Sequence, residues 1–338
     1  MEREPKAHEP IADDVMRSAQ LAAALEVSGW PKPGNVHRTA DFEDTTFEQF
    51  IAGSIALGPQ MRRAALRGVE AGEGRIGLEE VGVGKAIGKI LEDVRSWHRG
   101  GNTHLGTSML IVPLAISAGY TFARTSKLGI ADIRRNAAAV MGATTVQDAL
   151  DVQRAIGLLM PTGLGKLEDK DLPDLSGKDA RRTIVQKAYT LYDMMKASSN
   201  WDNIAREWVT RMEISFCCGL PTWLRIKRET GNVNAATVHT FLTILSKYPD
   251  TFIARKIGSR TEEDIGKAVR KGLVEATKIS SMASRVLSLG GVATGEGIKA
   301  LRDFDRQLRA KGNDMNPGTT ADLTSSSIMI AMLSGERP

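Results

Sequence analysis

The sequence has 338 residues, of which 42% are hydrophobic and 25% are charged, with 45 basic and 40 acidic side chains and a formal net charge of +5. This is the composition of a soluble globular protein with a substantial core, and its small, dispersed basic excess suits an anionic small molecule but not nucleic acid. The two cysteines, Cys217 and Cys218, are adjacent, which excludes a disulfide framework and favours a reducing cytoplasm.

Neither the N-terminus nor the most apolar stretch of the chain predicts a membrane segment. Residues 1–14 are polar and lack the apolar core of a signal peptide, and we expect residues 1–10 to be flexible. The stretch 108–120 is shorter than the roughly 20 residues that span a bilayer, and it contains Pro113. We therefore expect a cytoplasmic protein in which this stretch is a buried helix.

Helical periodicity runs through nearly the whole chain. The first run opens with acidic residues and places Ile11, Val15, Ala19 and Ala22 on one face. No run alternates β-branched and polar residues as a strand would. The pattern predicts an all-α fold, a bundle of roughly ten to thirteen helices. The helical runs are 11–27, 45–58, 83–98, 107–119, 133–141, 146–159, 180–198, 203–229, 235–248, 262–289, 296–310 and 320–333.

The longest irregular stretch is 160–179, which we interpret as a linker or a lid. The helices after it continue the same pattern as those before it. We therefore predict one catalytic domain over residues 1–338.

The first polar cluster is SGWPKPGNVHRTADFEDT, residues 28–45. Pro31 and Pro33 stiffen its backbone, and Gly34 allows a close approach to a ligand. We expect the loop to face solvent and to offer a cation and several hydrogen-bond donors to a ligand, from Lys32, Asn35, His37 and Arg38. A turn between two helices with exposed charges is the alternative.

Three further clusters lie where helices are expected to begin. In RGGNTHLGTS (99–108), Asn102 and Thr103 precede a helix, and in KGNDMNPGTTADL (311–323) another helix follows the cluster. Free N–H groups at helix starts attract anions, although plain capping explains each cluster equally well. The candidate residues of the last cluster are Asn316, Gly318, Thr319 and Thr320.

The third cluster in chain order is YPDTFIARKIGSR (248–260). Asp250 can cap a helix that carries Arg255 and Lys256 one turn later, a combination able to face a phosphate and its metal. A capped helix with a surface ion pair is the alternative. Because no single cluster could neutralise a polyphosphate, we predict that the four converge on one cavity.

The motifs PKPGNV, NTHLG, PDTFIARK and NPGTTADL occur in this order. In this the chain resembles the triphosphoribosyl-dephospho-CoA synthase family, from about Glu26 to Leu333, and it looks most like the archaeal-type branch. Better-known bacterial members tend to have Asp at the position of His37 and Lys at that of Leu105, and a last motif closer to PGGSADL.

The resemblance implies an all-α enzyme that releases adenine from ATP and joins the triphosphoribosyl group to a hydroxyl of 3′-dephospho-CoA. Glu26, Asp250 and Asp322 are the carboxylates expected near C1′ of the ribose or the metal, with Asp250 and Asp322 as Mg²⁺ ligands. His104 is the expected acid for the purine, because histidine titrates near neutrality. Phosphate contacts are expected from Lys32, Arg38, Arg255 and Lys256.

Other functions stay open at this point. One is ribosyl-phosphate transfer to another hydroxyl, for example on a pterin-type cofactor precursor. A second is N-glycoside hydrolysis resembling ADP-ribosyl hydrolases, with the acids of 41–48 as metal ligands. A third is nucleotide binding without catalysis. We expect ATP and a hydroxyl-bearing acceptor as partners, with a homodimer as an open possibility.

Overall fold

A computed structural model describes residues 8–101, 103–159 and 179–338, with the backbone alone for residues 158 and 159. The all-α prediction is confirmed, since these residues form no strand, but their sixteen α-helices somewhat exceed the expected number. The helices are α1 (Glu9–Ser28), α2 (Phe47–Ala56), α3 (Gly58–Gly72), α4 (Val83–Trp97), α5 (Leu105–Thr125), α6 (Ile130–Gly142), α7 (Val146–Leu159), α8 (Ala180–Gln186), α9 (Leu191–Ser198), α10 (Asn203–Val209), α11 (Leu220–Thr230), α12 (Val233–Lys247), α13 (Thr251–Gly258), α14 (Ile265–Ser288), α15 (Gly295–Arg309) and α16 (Gly318–Leu333).

Two of the expected long helices are broken at residues that carry no sequence signal for a break. Ala188, between α8 and α9, has a φ of 52°. Arg211 and Met212, after α10, have φ values of 56° and 55°, and a π-helical turn, Ser215–Gly219, leads into α11. Left-handed backbone is uncommon in residues other than glycine, and neither Ala188 nor the pair Arg211 and Met212 is next to a glycine or a proline that would mark a helix end. The two breaks could therefore not be predicted from the sequence.

The buried side chains form two hydrophobic clusters that meet at α12 and α16. The larger cluster surrounds α5 and includes the fully buried Trp208 and Trp223. The smaller one joins α12, α13, α14 and α15 around Phe241 and Phe304. Because α16 packs into the first cluster and its Ala321 touches the second, the start of α16 lies at the junction.

Two pairs of helices cross with backbone against backbone. A Cβ atom on Gly258 of α13 would lie 1.8 Å from the carbonyl oxygen of Ala268 in α14. A Cβ atom on Gly272 of α14 would lie 1.9 Å from the carbonyl oxygen of Ala254 in α13. Glycines Gly68 and Gly119 join α3 and α5 in the same reciprocal way. Such distances are impossible for any residue with a side chain, so these crossings require glycine.

Among the described residues, α5 is the one helix that is long and apolar enough to cross a membrane by length and composition. In the fold, 78% of its apolar window is buried against the rest of the chain. This matches the buried helix predicted for this stretch.

Candidate active site

A cavity of about 430 Å³ opens where α1 ends and where α5 and α16 begin. This volume is typical of sites for small molecules. Its polar lining comes from several segments that are distant in sequence. These residues are Glu26, Asn35, Asp44, Thr45, Thr103, His104, Thr107, Ser198, Asp202, Arg255, Lys256, Asn313, Asn316, Thr319, Asp322 and Ser325.

The rest of the cavity wall is largely apolar. Methionines Met109, Met194 and Met195 contribute flexible side chains, and Trp201 and Ile265 add larger surfaces. A wall with a polar part and an apolar part suits a ligand that itself has a charged part and an apolar or aromatic part.

Hydrogen bonds tie the first, third and fourth sequence clusters together along one side of the cavity. The amide nitrogen of Asn35 donates to Oδ1 of Asn316 at 2.7 Å, and that of Asn316 donates to Oδ1 of Asn313 at 3.0 Å. Lys256 Nζ donates to the backbone oxygen of Asn313 at 2.6 Å. Side chains 281 positions apart in sequence therefore share one network.

The second and third clusters join the fourth through two carboxylates. Thr107 Oγ1, in the first turn of α5, donates to Asp322 Oδ1 at 2.5 Å. The backbone N–H and the hydroxyl of Thr320 both donate to Asp250 Oδ2 at 2.7 Å. All four clusters thus meet at one place, and Asn35, His104, Arg255 and Asp322 line the same cavity, as predicted. The chemical roles of these residues stay predictions.

The guanidinium of Arg255 stands half-buried in the cavity wall without a hydrogen-bond partner or ion pair among the described residues. It lies 5.1 Å from the ring centroid of Phe252 and interacts electrostatically with Asp202 and Asp250. Five donors without a protein acceptor make this side chain a ready anion contact. Next to it, burial lowers the pKa of Lys256 to about 8.

Asp322 is a half-buried carboxyl of the cavity wall whose pKa is strongly shifted. Burial, together with the nearby charges of Glu26 and Asp250, raises the pKa of Asp322 to about 8. The group is therefore protonated at neutral pH, and a cation or a basic ligand would release the proton. Such a carboxyl can serve as a general acid or base near pH 7.

Lys32 does not face solvent, and the expectation that it does is wrong. Its side chain is 0% exposed, and Nζ donates to Glu26 Oε1 at 2.5 Å and to the backbone oxygen of Glu26 at 3.0 Å. Burial lowers the pKa of Lys32 and raises that of Glu26, against the attraction between them. Lys32 does not line the cavity; it is the counterion of Glu26, which does.

His104 lines the cavity, but it does not titrate near neutrality. It is 2% exposed, and burial lowers its pKa to about 3, with a contribution from His98. The ring of His104 packs against Gly53, because a Cβ atom on this glycine would lie only 2.4 Å from Cε1 of His104. The centroid of the ring lies 5.7 Å from that of Phe50. The expected cationic acid is therefore a neutral imidazole, able to donate one hydrogen bond.

Asp250 lies behind the cavity wall. Oδ1 caps α13 by accepting from the backbone N–H groups of Phe252 and Ile253 at 2.9 and 3.0 Å, and Oδ2 accepts twice from Thr320. The expected cap is confirmed. Burial raises the pKa of Asp250. With both oxygens occupied, the carboxylate serves to join α13 and α16, which disfavours the predicted role as a metal ligand.

Three residues of the 28–45 loop are placed away from the cavity, which corrects their assignment as ligand contacts. Gly34 has a φ of 68° and its N–H donates to Asp305. His37 is buried with Nε2 3.6 Å from Asp305 Oδ2. Arg38 donates to the backbone oxygen of Ser28 at 2.6 Å and to Asn234. These contacts anchor the loop to α1, α12 and α15.

The predicted anion site at the start of α16 is partly occupied by the protein. The N–H of Gly318 donates to the backbone of Asn316 at 2.9 Å, and that of Thr320 donates to Asp250. Gly318 and Thr319 line the cavity, whereas Thr320 does not. At the start of α5, Thr103 lines the cavity, and Asn102 is outside the described residues.

Several cavity residues were not predicted from the sequence. Ser325 is 2% exposed, and its hydroxyl has no hydrogen-bond partner within the described part of the chain. Its sequence context is an apolar helix, which gives no signal. Asp202 follows the N-cap pattern of α10, accepting from the N–H of Ala205. Asp44, which also lines the cavity, is predicted only by the hydrolase alternative, as one of the acids of 41–48.

The described ranges contain no group of three or more His, Cys, Asp or Glu side chains placed to hold a metal ion. Mg²⁺ in nucleotide sites is often held by one or two carboxylates together with phosphate oxygens. Asp322 fits that arrangement, because its carboxyl lines the cavity, with Oδ1 accepting from Thr107 and Oδ2 close to Gly106.

Comparisons with known proteins agree on one family. Residues 12–338 match the family described as ATP:dephospho-CoA triphosphoribosyl transferase. A 2-(5''-triphosphoribosyl)-3'-dephosphocoenzyme-A synthase of Klebsiella pneumoniae is 32% identical over 104 residues, which cover 31% of this chain and 29% of that protein. A crystal structure from Archaeoglobus fulgidus, assigned to triphosphoribosyl-dephospho-CoA synthase, is 26% identical with a TM-score of 0.56 and covers 85% of this chain and 100% of that one. The chain therefore belongs to the ATP:dephospho-CoA triphosphoribosyl transferase family.

Proposed function

We propose that the chain transfers the 5-triphosphoribosyl group of ATP to a hydroxyl of 3′-dephospho-CoA and releases adenine. The observation that carries this proposal is one cavity that combines an unpaired guanidinium, Arg255, with a neutral imidazole, His104, and a protonatable carboxyl, Asp322. Family membership supports the same reaction.

In this reaction the C1′–N9 bond of ATP breaks and a bond forms between C1′ and the acceptor oxygen. The acceptor hydroxyl loses a proton and adenine leaves with one, so the reaction is balanced without another reactant. Bond breaking at C1′ passes through an oxocarbenium-like state that a nearby carboxylate stabilises. We assign that role, or proton removal from the acceptor, to Asp322, with Glu26 as the second carboxylate of the wall.

Arg255 and Lys256 are the proposed phosphate contacts, and His104 is the proposed donor to the purine. Among the described lining residues, the four acids Glu26, Asp44, Asp202 and Asp322 outnumber the two cations. A polyanion in this wall needs added positive charge. We therefore propose that ATP binds with Mg²⁺, which would neutralise phosphate charge beside Asp322.

The family is one of biosynthetic enzymes, and we place this member in the cytoplasm, where its two free thiols, Cys217 and Cys218, stay reduced. We retain a homodimer as a proposal that size-exclusion chromatography with light scattering can test.

The test of the proposed function is direct. The protein is incubated with ATP and Mg²⁺, with and without 3′-dephospho-CoA, and the products are separated by chromatography and weighed by mass spectrometry. We expect free adenine and a product equal to dephospho-CoA plus the triphosphoribosyl group. ADP or AMP as the main product would overturn the assignment of the donor.

The alternatives are less well supported. Transfer to another hydroxyl, such as that of a pterin-type precursor, would give adenine without consumption of dephospho-CoA. Hydrolysis would give adenine without any acceptor. Of the acids of 41–48, Asp41 accepts from the backbone N–H of Phe47, and Asp44, which lines the cavity, accepts from Asn313. Binding without catalysis would give no product.

A further inference from the structure

Three polar side chains stand in a line that ends in the cavity. Nε2 of His98 lies 3.1 Å from Oγ1 of Thr103, and the same Oγ1 lies 2.7 Å from Nδ1 of His104. At the other end, the backbone N–H of Gly100 donates to Nδ1 of His98 at 3.2 Å. His98 is half-buried, whereas Thr103 and His104 are buried.

The hydrogen bond from Gly100 to His98 determines which atoms carry the protons of His98, Thr103 and His104. A backbone N–H can only donate, so Nδ1 of His98 carries no proton. Burial lowers the pKa of His98, and a neutral ring must then hold its single proton on Nε2. That Nε2–H donates to the oxygen of Thr103.

The hydroxyl of Thr103 has one proton, and it cannot point at a group that is itself donating. It therefore donates to Nδ1 of His104, which must be unprotonated. His104 is also neutral, because burial lowers its pKa to about 3. Its one proton consequently lies on Nε2.

We propose that His98 and Thr103 form a hydrogen-bond relay that fixes neutral His104 in its Nε2–H tautomer, so that the ring offers a donor to the departing purine. The purine clause rests on the proposed function, whereas the tautomer does not. His98 and Thr103 are positioning residues, since they act through His104. The ring nitrogens of a purine are acceptors, so a fixed N–H is the matching group, and it works without a positive charge.

The packing around His104 agrees with this assignment. A Cβ atom on Gly53 would lie 2.6 Å from Nδ1 of His104, so this edge of the ring is closed by Gly53 and Thr103. Nδ1 of His104 therefore faces Gly53 and Thr103.

The relay is tested with two variants of one residue. Thr103→Val keeps the shape and removes the hydroxyl, whereas Thr103→Ser keeps the hydroxyl. The full chain is labelled with ¹⁵N-histidine, and long-range ¹H–¹⁵N correlation spectra report which ring nitrogen carries the proton, with His104 assigned by its loss in His104→Asn. We expect the Nε2–H tautomer in the wild type and in Thr103→Ser, and a mixture of tautomers in Thr103→Val.

Adenine release from ATP gives the second readout. We expect kcat to fall about 10-fold to 100-fold in Thr103→Val, the range found for partners that orient a functional histidine, with KM nearly unchanged and with rescue in Thr103→Ser. If Thr103→Val does not fold, as judged by circular dichroism, His98→Phe removes the first donor and should loosen the tautomer in the same way.

Two results would overturn the relay: a wild-type His104 with its proton on Nδ1, or a folded Thr103→Val with wild-type tautomer and kcat. If the wild type releases no adenine, the proposed function fails, and the spectra still decide whether the relay exists.

Discussion

Replacing Lys32 by methionine should destabilise the protein far more than loss of an ordinary loop lysine. The methionine keeps most of the apolar stem but removes Nζ, which donates at 2.5 Å to a carboxylate that is 5% exposed. Glu26 would then be a buried charge without its counterion. Breaking a buried pair from one side costs about 3–5 kcal/mol. Urea denaturation followed by circular dichroism at pH 7 measures the loss.

Two controls make this prediction specific. Lys89→Met breaks an exposed i,i+3 pair with Glu92 and should cost about 1 kcal/mol or less. Glu26→Met combined with Lys32→Met removes both charges and should recover most of the lost stability, because a buried pair is replaceable by apolar side chains. The loss in Lys32→Met should also shrink toward acid pH, since a protonated Glu26 needs no counterion. A loss no larger than that of Lys89→Met would refute the reasoning.

Three further predictions concern other buried or unpaired charges. Burial raises the pKa of Glu207 from 4.5 to about 7, so the stability that its protonation contributes is present at low pH and is lost as the pH rises through 7. Glu207→Gln should flatten this fall in stability, measured as the urea midpoint against pH, whereas Glu296→Gln at an exposed position should not. Arg255→Met should weaken the binding of inorganic triphosphate, measured by calorimetry, about 10-fold to 100-fold, since charged hydrogen bonds contribute about 1.5–3 kcal/mol. An equal effect of Arg260→Met, at an exposed position, would contradict a phosphate site at Arg255. Asp322→Asn should slow adenine release about 10²-fold or more while the protein stays folded, and a wild-type rate would remove Asp322 from the chemistry.

Much of this architecture could be predicted from the sequence. Apolar periodicity gave the helices, and capping residues such as Asp250 marked where α13 begins. Four polar clusters at helix starts indicated a shared cavity, because a polyanion requires donors from several places. These inferences depend on local patterns, which a single sequence records well.

The remaining features depend on which way a side chain faces. Lys32 and Arg38 are both cations of one loop, yet one is the buried counterion of Glu26 and the other bonds to a surface carbonyl. Ser325 lies in an apolar helix, where a hydroxyl looks like any small buried residue. The burial that lowers the pKa of His104 to about 3 comes from neighbours distant in sequence, such as Gly53.

The reciprocal glycine crossing of α13 and α14 makes the position of a cavity-lining cation depend on a residue outside the cavity. Gly272 lies against the carbonyl oxygen of Ala254, and Ala254 is the residue directly before Arg255. A methyl group at position 272 would push that peptide, and with it the guanidinium, without touching the cavity. Gly272 thus helps to fix where Arg255 stands in the cavity wall, although Gly272 itself does not line the cavity.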